Sequence, residues 1–233
     1  MRPVDLLIVG AGPAGLAAAI AASGKGMRVA VLDSRCPPID KTCGEGLLPD
    51  ALTALSDLGI PIHSRLGIPF TEFCFTDERS SVCAPILGGC GIGLRRRELH
   101  QLLIERAEAC GVSLSWGARI SGIESGGVWA NGQFRSHRLL VGADGQQSIV
   151  RKFAKLEPKK RPRLRFGFRQ HFAVPPWNNS VEVHWGERVQ IIVTPTGAEE
   201  VCLVMLTSDS RVRIERAIEQ FPHIAMRLRG AEV

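Results

Sequence analysis

Tyrosine is absent from these 233 residues, so no phenolic side chain can relay a proton in whatever chemistry the chain supports. No run of 18 apolar residues occurs, which leaves nothing able to span a membrane as a helix. The first residues pass almost at once into a strand and lack the charged-then-apolar plan of a secretory signal. A cytoplasmic location is the expectation. Seven cysteines (Cys36, Cys43, Cys74, Cys83, Cys90, Cys110 and Cys202) include no C-x-x-C pair, which speaks against a zinc centre. Their odd number reads as reduced thiols. The six histidines are scattered, with no recognisable Ser/His/Asp arrangement, and no metal is expected.

What is present is ordinary for a globular protein: 45% hydrophobic and 22% charged residues. The length suits one domain and part of another. The net charge of +6 has a visible source, because Lys152 to Arg169 carries eight basic residues against one acid, Glu157. No aromatic platform or RNA-binding motif accompanies that run, so nucleic acid is not an expected partner. It reads as a solvated linker, or else as a field that draws in an anionic substrate or NADPH.

Chemistry first shows at Gly10-Ala11-Gly12-Pro13-Ala14-Gly15. Val4 to Val9 is a short apolar strand running straight into these glycines, and the small residues after Gly15 favour a helix. Strand, tight turn and helix N-terminus are the context that makes G-x-G-x-x-G a dinucleotide fingerprint. Gly10 permits the turn, Gly12 leaves no Cβ in the path of a diphosphate, and Gly15 lets helix and strand pack closely. Pro13 suits the first helical turn, and the free N–H groups there favour an anion. A second strand ends in Asp33, 18 residues after Gly15, where an acid fits a ribose hydroxyl and disfavours a 2′-phosphate. FAD and NAD both satisfy this arrangement.

The second motif is Val141-Gly142-Ala143-Asp144-Gly145-Gln146-Gln147-Ser148-Ile149-Val150-Arg151. With both motifs in this order, the chain resembles the flavoprotein hydroxylase superfamily, the p-hydroxybenzoate hydroxylase-like FAD enzymes, and their relatives the geranylgeranyl reductases and flavin-dependent halogenases. The resemblance covers nearly the whole chain. It implies that Asp144, Gly145, Ser148 and Arg151 lie between the FAD site and the nicotinamide approach. It extends the cofactor contacts after Asp33 to Ser34 and Arg35. It assigns Arg96, three residues before the first leucine of a helix opening at Gly93-Leu94-Arg95-Arg96-Arg97-Glu98-Leu99, to the diphosphate, although Arg95 and Arg97 leave the register open. An arginine suits that role because its fork donates two parallel hydrogen bonds. Ile120 is matched, more weakly, to a residue whose backbone holds adenine.

Lys41-Thr42-Cys43-Gly44-Glu45-Gly46-Leu47 resembles the Cys-Gly loop that lies near the flavin ring in the geranylgeranyl reductase-like enzymes. Cys43 and Gly44 are the expected cofactor contacts there, and Cys43 is the one candidate for a catalytic thiol. A cysteine that fills a small gap is the alternative, and Glu45 reads equally as a surface carboxylate.

The fold class expected is α/β: an FAD-binding Rossmann-like domain of the GR2 type with an antiparallel β-sheet substrate domain. The expected order is a first part of the FAD-binding domain over 1–69, a hairpin joining the substrate domain over 70–92, a second part over 93–157, and a partial substrate domain over 158–233. Strands are expected at 4–9, 27–33, 112–116, 118–124, 127–130, 133–135 and, buried, at 138–142. Helices are expected at 13–24, 49–58 and 96–110, the last closed by Gly111. Beyond Pro158, four antiparallel strands and a helix over 210–220, broken at Phe221-Pro222, complete the pattern.

The resemblance also implies a later strand and a Gly-Asp motif that holds the ribityl chain, and the sequence contains no Gly-Asp pair. It has no second G-x-G-x-x-G, as a two-nucleotide-domain disulfide reductase would, and no Trp-x-Trp-x-Ile-Pro, as a tryptophan-type halogenase would. The implied function is an FAD-dependent monooxygenase, reduced by NAD(P)H, that hydroxylates an apolar or aromatic small molecule. Saturation of an isoprenoid double bond is the alternative suggested by the Cys43 loop. A nucleotide-binding remnant without catalytic competence is a third, suggested by the missing motif.

Overall fold

The computed structural model describes residues 4–63, 66–158 and 164–233. In chain order the elements begin with β1 (Val4–Val9), α1 (Pro13–Ser23), β2 (Val29–Leu32), β3 (Gly46–Leu47) and α2 (Pro49–Asp57). Then come β4 (Ile68–Phe70), β5 (Glu72–Thr76), β6 (Ser81–Pro85), β7 (Gly91–Gly93) and α3 (Arg96–Ala109). After these follow β8 (Ser113–Ser115), β9 (Ile120–Glu124), β10 (Gly127–Ala130), β11 (Gln133–Gly142) and α4 (Ile149–Phe153). The last are β12 (Phe166–Phe172), β13 (Ser180–Trp185), β14 (Val189–Gly197), β15 (Glu200–Thr207), α5 (Ile214–Ile218) and α6 (Pro222–Arg227). The chain divides into two compact units, one of 1–40, 58–60 and 97–161, the other of 41–57, 61–96 and 162–233.

The first unit is built on a sheet ordered β8-β2-β1-β11-β10-β9. β1 runs parallel to both β2 and β11, and β11 turns back antiparallel to β10. Four consecutive buried residues, Leu6 to Val9, make β1 the central strand, as a strand covered on both faces requires. α1 follows directly, and Gly24 caps its end. The expected strands at 133–135 and 138–142 are one continuous β11. That strand is not buried as expected, since Leu139 is 57% exposed. α3 does end as Gly111 suggests, with that residue at φ +75°.

The second unit centres on a sheet ordered β12-β15-β14-β13-β5-β6. β12 to β15 form the expected antiparallel set, but β13 pairs in parallel with β5, which brings the β5–β6 hairpin into one six-stranded mixed sheet. Alternate residues of its strands (Ile191, Val193, Leu203, Met205) bury one face under Ile214, Ala217, Phe221 and Ile224 of the α5–α6 segment. The helix expected over 210–220 is shorter, α5 alone, and α6 starts at the expected break at Phe221-Pro222. Lys41–Asp57 and Pro61–Arg96, except for the hairpin, were expected with the first domain and belong instead to this unit. The cause is local pairing: β3 and β4 both add to β7 in a small three-stranded sheet. The expected boundary at 157/158 lies at the edge of the described residues, and the middle of the basic run, 159–163, lies outside them.

The expectation of reduced thiols also needs correction. Cys74 and Cys83 face each other across the hairpin, with Cα atoms 4.1 Å apart, and are joined in a disulfide. Among the described residues no helix is long and apolar enough to cross a membrane.

Phe70 locks the small sheet in place. It is fully buried, meets Phe73 edge-on, and leaves no room for a Cβ on Gly91. Phe70→Ala should lower the unfolding free energy by about 3–5 kcal/mol. Urea unfolding checks this, and a loss below 1 kcal/mol would show that the glycines alone hold the sheet.

Candidate functional site

In the first unit, β1 delivers the chain into Gly10, which sits at φ +105°. A Cβ on Gly10 would collide with the Ala143 carbonyl, and one on Gly15 with the Gly10 carbonyl. Both positions are therefore glycine for packing. Gly12 differs: no atom lies within 4 Å of where its Cβ would stand, and its backbone is extended at φ −71°, ψ 177°. Pro13 occupies the first turn of α1, and no side chain caps that end. Leu16 N–H is bonded back to the Gly12 carbonyl. An open backbone face at an uncapped helix N-terminus fits a diphosphate.

Asp33 lies beside this turn. Its carboxylate accepts the Ala11 N–H at 2.8 Å and the Arg35 N–H at 2.9 Å. Two N–H donors leave lone pairs on an ionised carboxylate for a ribose hydroxyl. Ser34 and Arg35 follow on the exposed loop. Ile120 opens β9, half-buried, opposite Ala130.

His100 was not singled out in the sequence. It is 1% exposed, on the inner face of α3, and its Nε2 bonds the Ala11 carbonyl at 2.8 Å with its ring edge-on to Trp116. It thus braces the glycine turn from behind. A lone polar residue at a core position of the helix, between Arg96 and Leu103, was the available signal.

The Asp144 motif is a self-contained device at the end of β11. The Ala143 N–H donates to the Val9 carbonyl at 2.7 Å, setting the motif beside the glycine turn. Asp144 accepts from the Ser148 hydroxyl and, at 2.7 Å, from the Ile149 N–H. The Ser148 oxygen accepts the Arg151 N–H at 2.9 Å, and the Arg151 guanidinium donates to the Gly145 and Gln146 carbonyls. Every named member of the motif is engaged within its own loop, which Gly145 turns at φ +81°.

The second unit holds the other predicted residues around an unpredicted hub. Glu45 is no surface carboxylate: it is 4% exposed, with φ +58°. One carboxylate oxygen accepts the Arg96 N–H at 2.9 Å and Arg169 Nη1 at 2.7 Å. The other meets His171 Nε2 at 2.7 Å. Burial is the strongest single influence and pushes this carboxyl upward. The hydrogen bonds from His171 and the Arg96 N–H, with the charges of His171 and Arg169, together outweigh it and hold the group below the usual glutamate range.

This hub orders the Cys-Gly loop. The Glu45 N–H points at Cys43 Sγ at 3.5 Å, and the Glu45 carbonyl accepts the Leu94 N–H at 2.8 Å. Gly44 has nothing within 4 Å of a would-be Cβ, so its backbone is open on one side as that of Gly12 is. The three arginines differ in their surroundings. Arg95 is paired with Glu200, through Nε at 2.8 Å, and Arg97 is exposed. Arg96 is half-buried, and its Nε is buried without a hydrogen-bond partner. Of the three, Arg96 is the one with a buried guanidinium nitrogen, Nε, that has no acceptor.

Glu45, His171 and Cys202 bring three potential metal ligands within 4.8 Å of one another. The donor set does not suit a cation. Arg169 already occupies the carboxylate, and burial, followed by the Glu45 charge, pushes the Cys202 thiol far upward, which opposes a thiolate.

Because the Glu45 pKa is depressed on folding, its stabilisation is complete above the unfolded value of about 4.5 and fades as pH falls through the folded value. Glu45→Gln should cost on the order of 3 kcal/mol at pH 7, because the Arg169 guanidinium loses its charge partner and His171 an acceptor oxygen. The gap between wild type and variant should narrow below pH ~4.5. Urea unfolding across pH 3–7 checks this, and a gap that does not change with pH would remove the carboxylate's charge from the account.

The sequence matches the FAD binding domain family over residues 3–222. The menaquinone reductase of Mycobacterium tuberculosis is 33% identical over 156 residues, which cover 62% of this chain and 38% of that protein. The 3-hydroxybenzoate 6-hydroxylase 1 of Aquipseudomonas alcaligenes is 27% identical over 231 residues, or 88% of this chain and 58% of that protein. The chain thus spans less than two thirds of the length of either relative. A flavoprotein/dehydrogenase structure from Cytophaga hutchinsonii shares the fold, with a TM-score of 0.83 at 19% identity over 98% of this chain and 64% of that one. With the open Gly12 face, the Asp33 acceptor and the Asp144 device in place, these matches show that the chain belongs to the FAD binding domain family, and FAD is its cofactor.

Proposed function

We propose that this chain is the FAD-binding part of an NAD(P)H-driven oxidoreductase that hydroxylates an apolar or aromatic small molecule. The open backbone face of Gly12 at the uncapped start of α1 carries the reading. There the diphosphate would take main-chain N–H groups from Gly12 and Ala14, with Gly10, Ala11, Pro13 and Gly15 fixing the turn. Asp33 orients the adenosine ribose through its unused lone pairs, flanked by Ser34 and Arg35, and the Ile120 backbone supports the adenine. Asp144 and Gly145 border the site as a prebuilt loop. The Cys43-Gly44 loop offers open backbone at Gly44, and Arg96 offers a guanidinium whose Nε lacks an acceptor. Bound FAD supplies a ring that accepts a hydride from the nicotinamide and passes electrons onward. The protein's share is orientation and exclusion of water. NAD(P)H as electron source goes with a cytoplasmic location, where that co-substrate is regenerated.

A second reading, reduction of a carbon–carbon double bond in an isoprenoid, is favoured by the Cys43-Gly44 loop and by the 33% identity to a protein named menaquinone reductase.

FAD titration followed by the visible spectrum tests the cofactor site. Wild type should take up one equivalent with a perturbed spectrum. Gly12→Val should lose flavin while changing stability by no more than about 1 kcal/mol, since its extended backbone accepts any residue. Normal loading of that variant would sink the diphosphate assignment. With the loaded protein, NAD(P)H oxidation that requires oxygen supports hydroxylation. Substrate-dependent oxidation under anaerobic conditions would establish the reductase reading instead.

A further inference from the structure

On the helix-covered face of the second unit's sheet lies a polar chain unconnected with any residue assigned above. Glu182 and His184 alternate along β13, opposite the buried Val193 and Ile191. Both are nearly inaccessible, His184 being 3% exposed. The Glu182 carboxylate accepts Trp177 Nε1 at 2.7 Å, the Asn178 amide, and His184 Nε2 at 2.9 Å. A carboxylate can only accept, so Nε2 of His184 carries the proton, and in the neutral ring Nδ1 presents a lone pair. Facing that lone pair at 3.3 Å is Nε2 of His223, near the start of α6. His223 itself borders an open cavity of about 450 Å³, which is also lined by Asp77, Glu78 and Glu187.

We propose that His184 Nδ1 and His223 Nε2 are the two protein ligands of a Zn²⁺ site that opens into this cavity. The spacing is the first argument. Two nitrogens bound tetrahedrally at 2.0–2.1 Å from one zinc ion stand about 3.3–3.4 Å apart. The 3.3 Å separation matches this, and it is long for a direct hydrogen bond between two imidazoles. The second argument is orientation. A metal-bound histidine almost always donates its other ring N–H to a carboxylate, which fixes the tautomer and raises ligand basicity, and Glu182 does this for His184. Glu182 is in turn held by Trp177 and Asn178, so the ring that would ligate is locked before any ion arrives. The third is charge: three carboxylates line the open side, against the Arg227 cation that also acts on His223, and water can complete the coordination there. The ion would tie α6 to β13, closing the helix segment onto the sheet. This site is independent of the flavin assignments, because none of its residues belongs to them.

Isothermal titration of the metal-stripped 233-residue chain with ZnCl₂, with and without His223→Gln, tests the proposal. His223 is exposed, so its replacement should leave the fold intact, as circular dichroism will show. Wild type should bind one more equivalent than the variant, and zinc should raise the melting temperature of wild type only. Glu182→Gln should keep the site but weaken it by about 10–100-fold. A variant-free readout is the set of histidine ring proton resonances: two of the six histidines should shift together at one equivalent. Equal stoichiometry in wild type and His223→Gln, as cysteine binding alone would give, overturns the site. So does a titration in which no histidine resonance moves.

Discussion

The second unit depends on one buried charge. Glu45 sits in the left-handed region, which a residue with a Cβ rarely adopts, at a cost on the order of 1–3 kcal/mol. Removing its carboxylate from water costs more. Both are tolerable only because three donors converge on it: the first N–H of α3, the guanidinium of Arg169 and the imidazole of His171. The two side-chain donors come from alternate residues of β12, so they project from the same face of one strand. The consequence is a loop whose course is set from the sheet rather than by its own glycines. Gly44 can then be open on one side without the loop collapsing onto it.

The glycine turn of the first unit solves a related problem without charge. Gly10 and Gly15 carry no Cβ because neighbouring backbone carbonyls occupy that space, whereas Gly12 carries none and nothing in the chain fills the gap. Glycine in a tight turn usually admits either explanation, and here adjacent positions separate the two. His100 adds the rear wall by bonding the Ala11 carbonyl. The Asp144 loop then abuts Gly10 through Ala143, so the two motifs that stand about 130 residues apart in sequence meet at one backbone contact. The Asp144 carboxylate spends its acceptors on Ser148 and the start of α4. Its local duty is to hold the loop's shape, and any cofactor contact comes on top of that.

What was legible in the sequence follows the range of the forces involved. The strand–turn–helix at 4–23, the Gly111 stop and the hairpin at 72–85 are set by neighbours within a few residues, and all appear close to where the pattern puts them. Glu45 was illegible because its side-chain partners, Arg169 and His171, lie 124 and 126 residues away. The parallel pairing of β13 with β5 was missed for the same reason, since alternation marks a strand but not its neighbour. The disulfide was within reach. Cys74 and Cys83 are equidistant from the hairpin turn, and pairing Thr76 with Ser81 places them opposite each other. Counting cysteines over the whole chain obscured what the hairpin register stated.

Asp33 shows how far one side chain can be shared between fold and ligand. Its carboxylate already accepts the Ala11 N–H, tying the end of β2 to the glycine turn. It also accepts the Arg35 N–H, shaping the loop that follows. A carboxylate has about four lone-pair positions, so these two bonds stabilise the turn and leave acceptor capacity unused. The same negative charge that suits a ribose hydroxyl repels a 2′-phosphate. If Asp33 takes the ribose as proposed, selectivity at the adenosine end is a by-product of the group that holds the turn. Replacing Asp33 by alanine would remove both functions together. Asparagine removes the charge and keeps one acceptor oxygen, enough for one of the two N–H bonds, so it separates them in part. The proposed adenosine contact is therefore tied to the stability of the turn through one carboxylate.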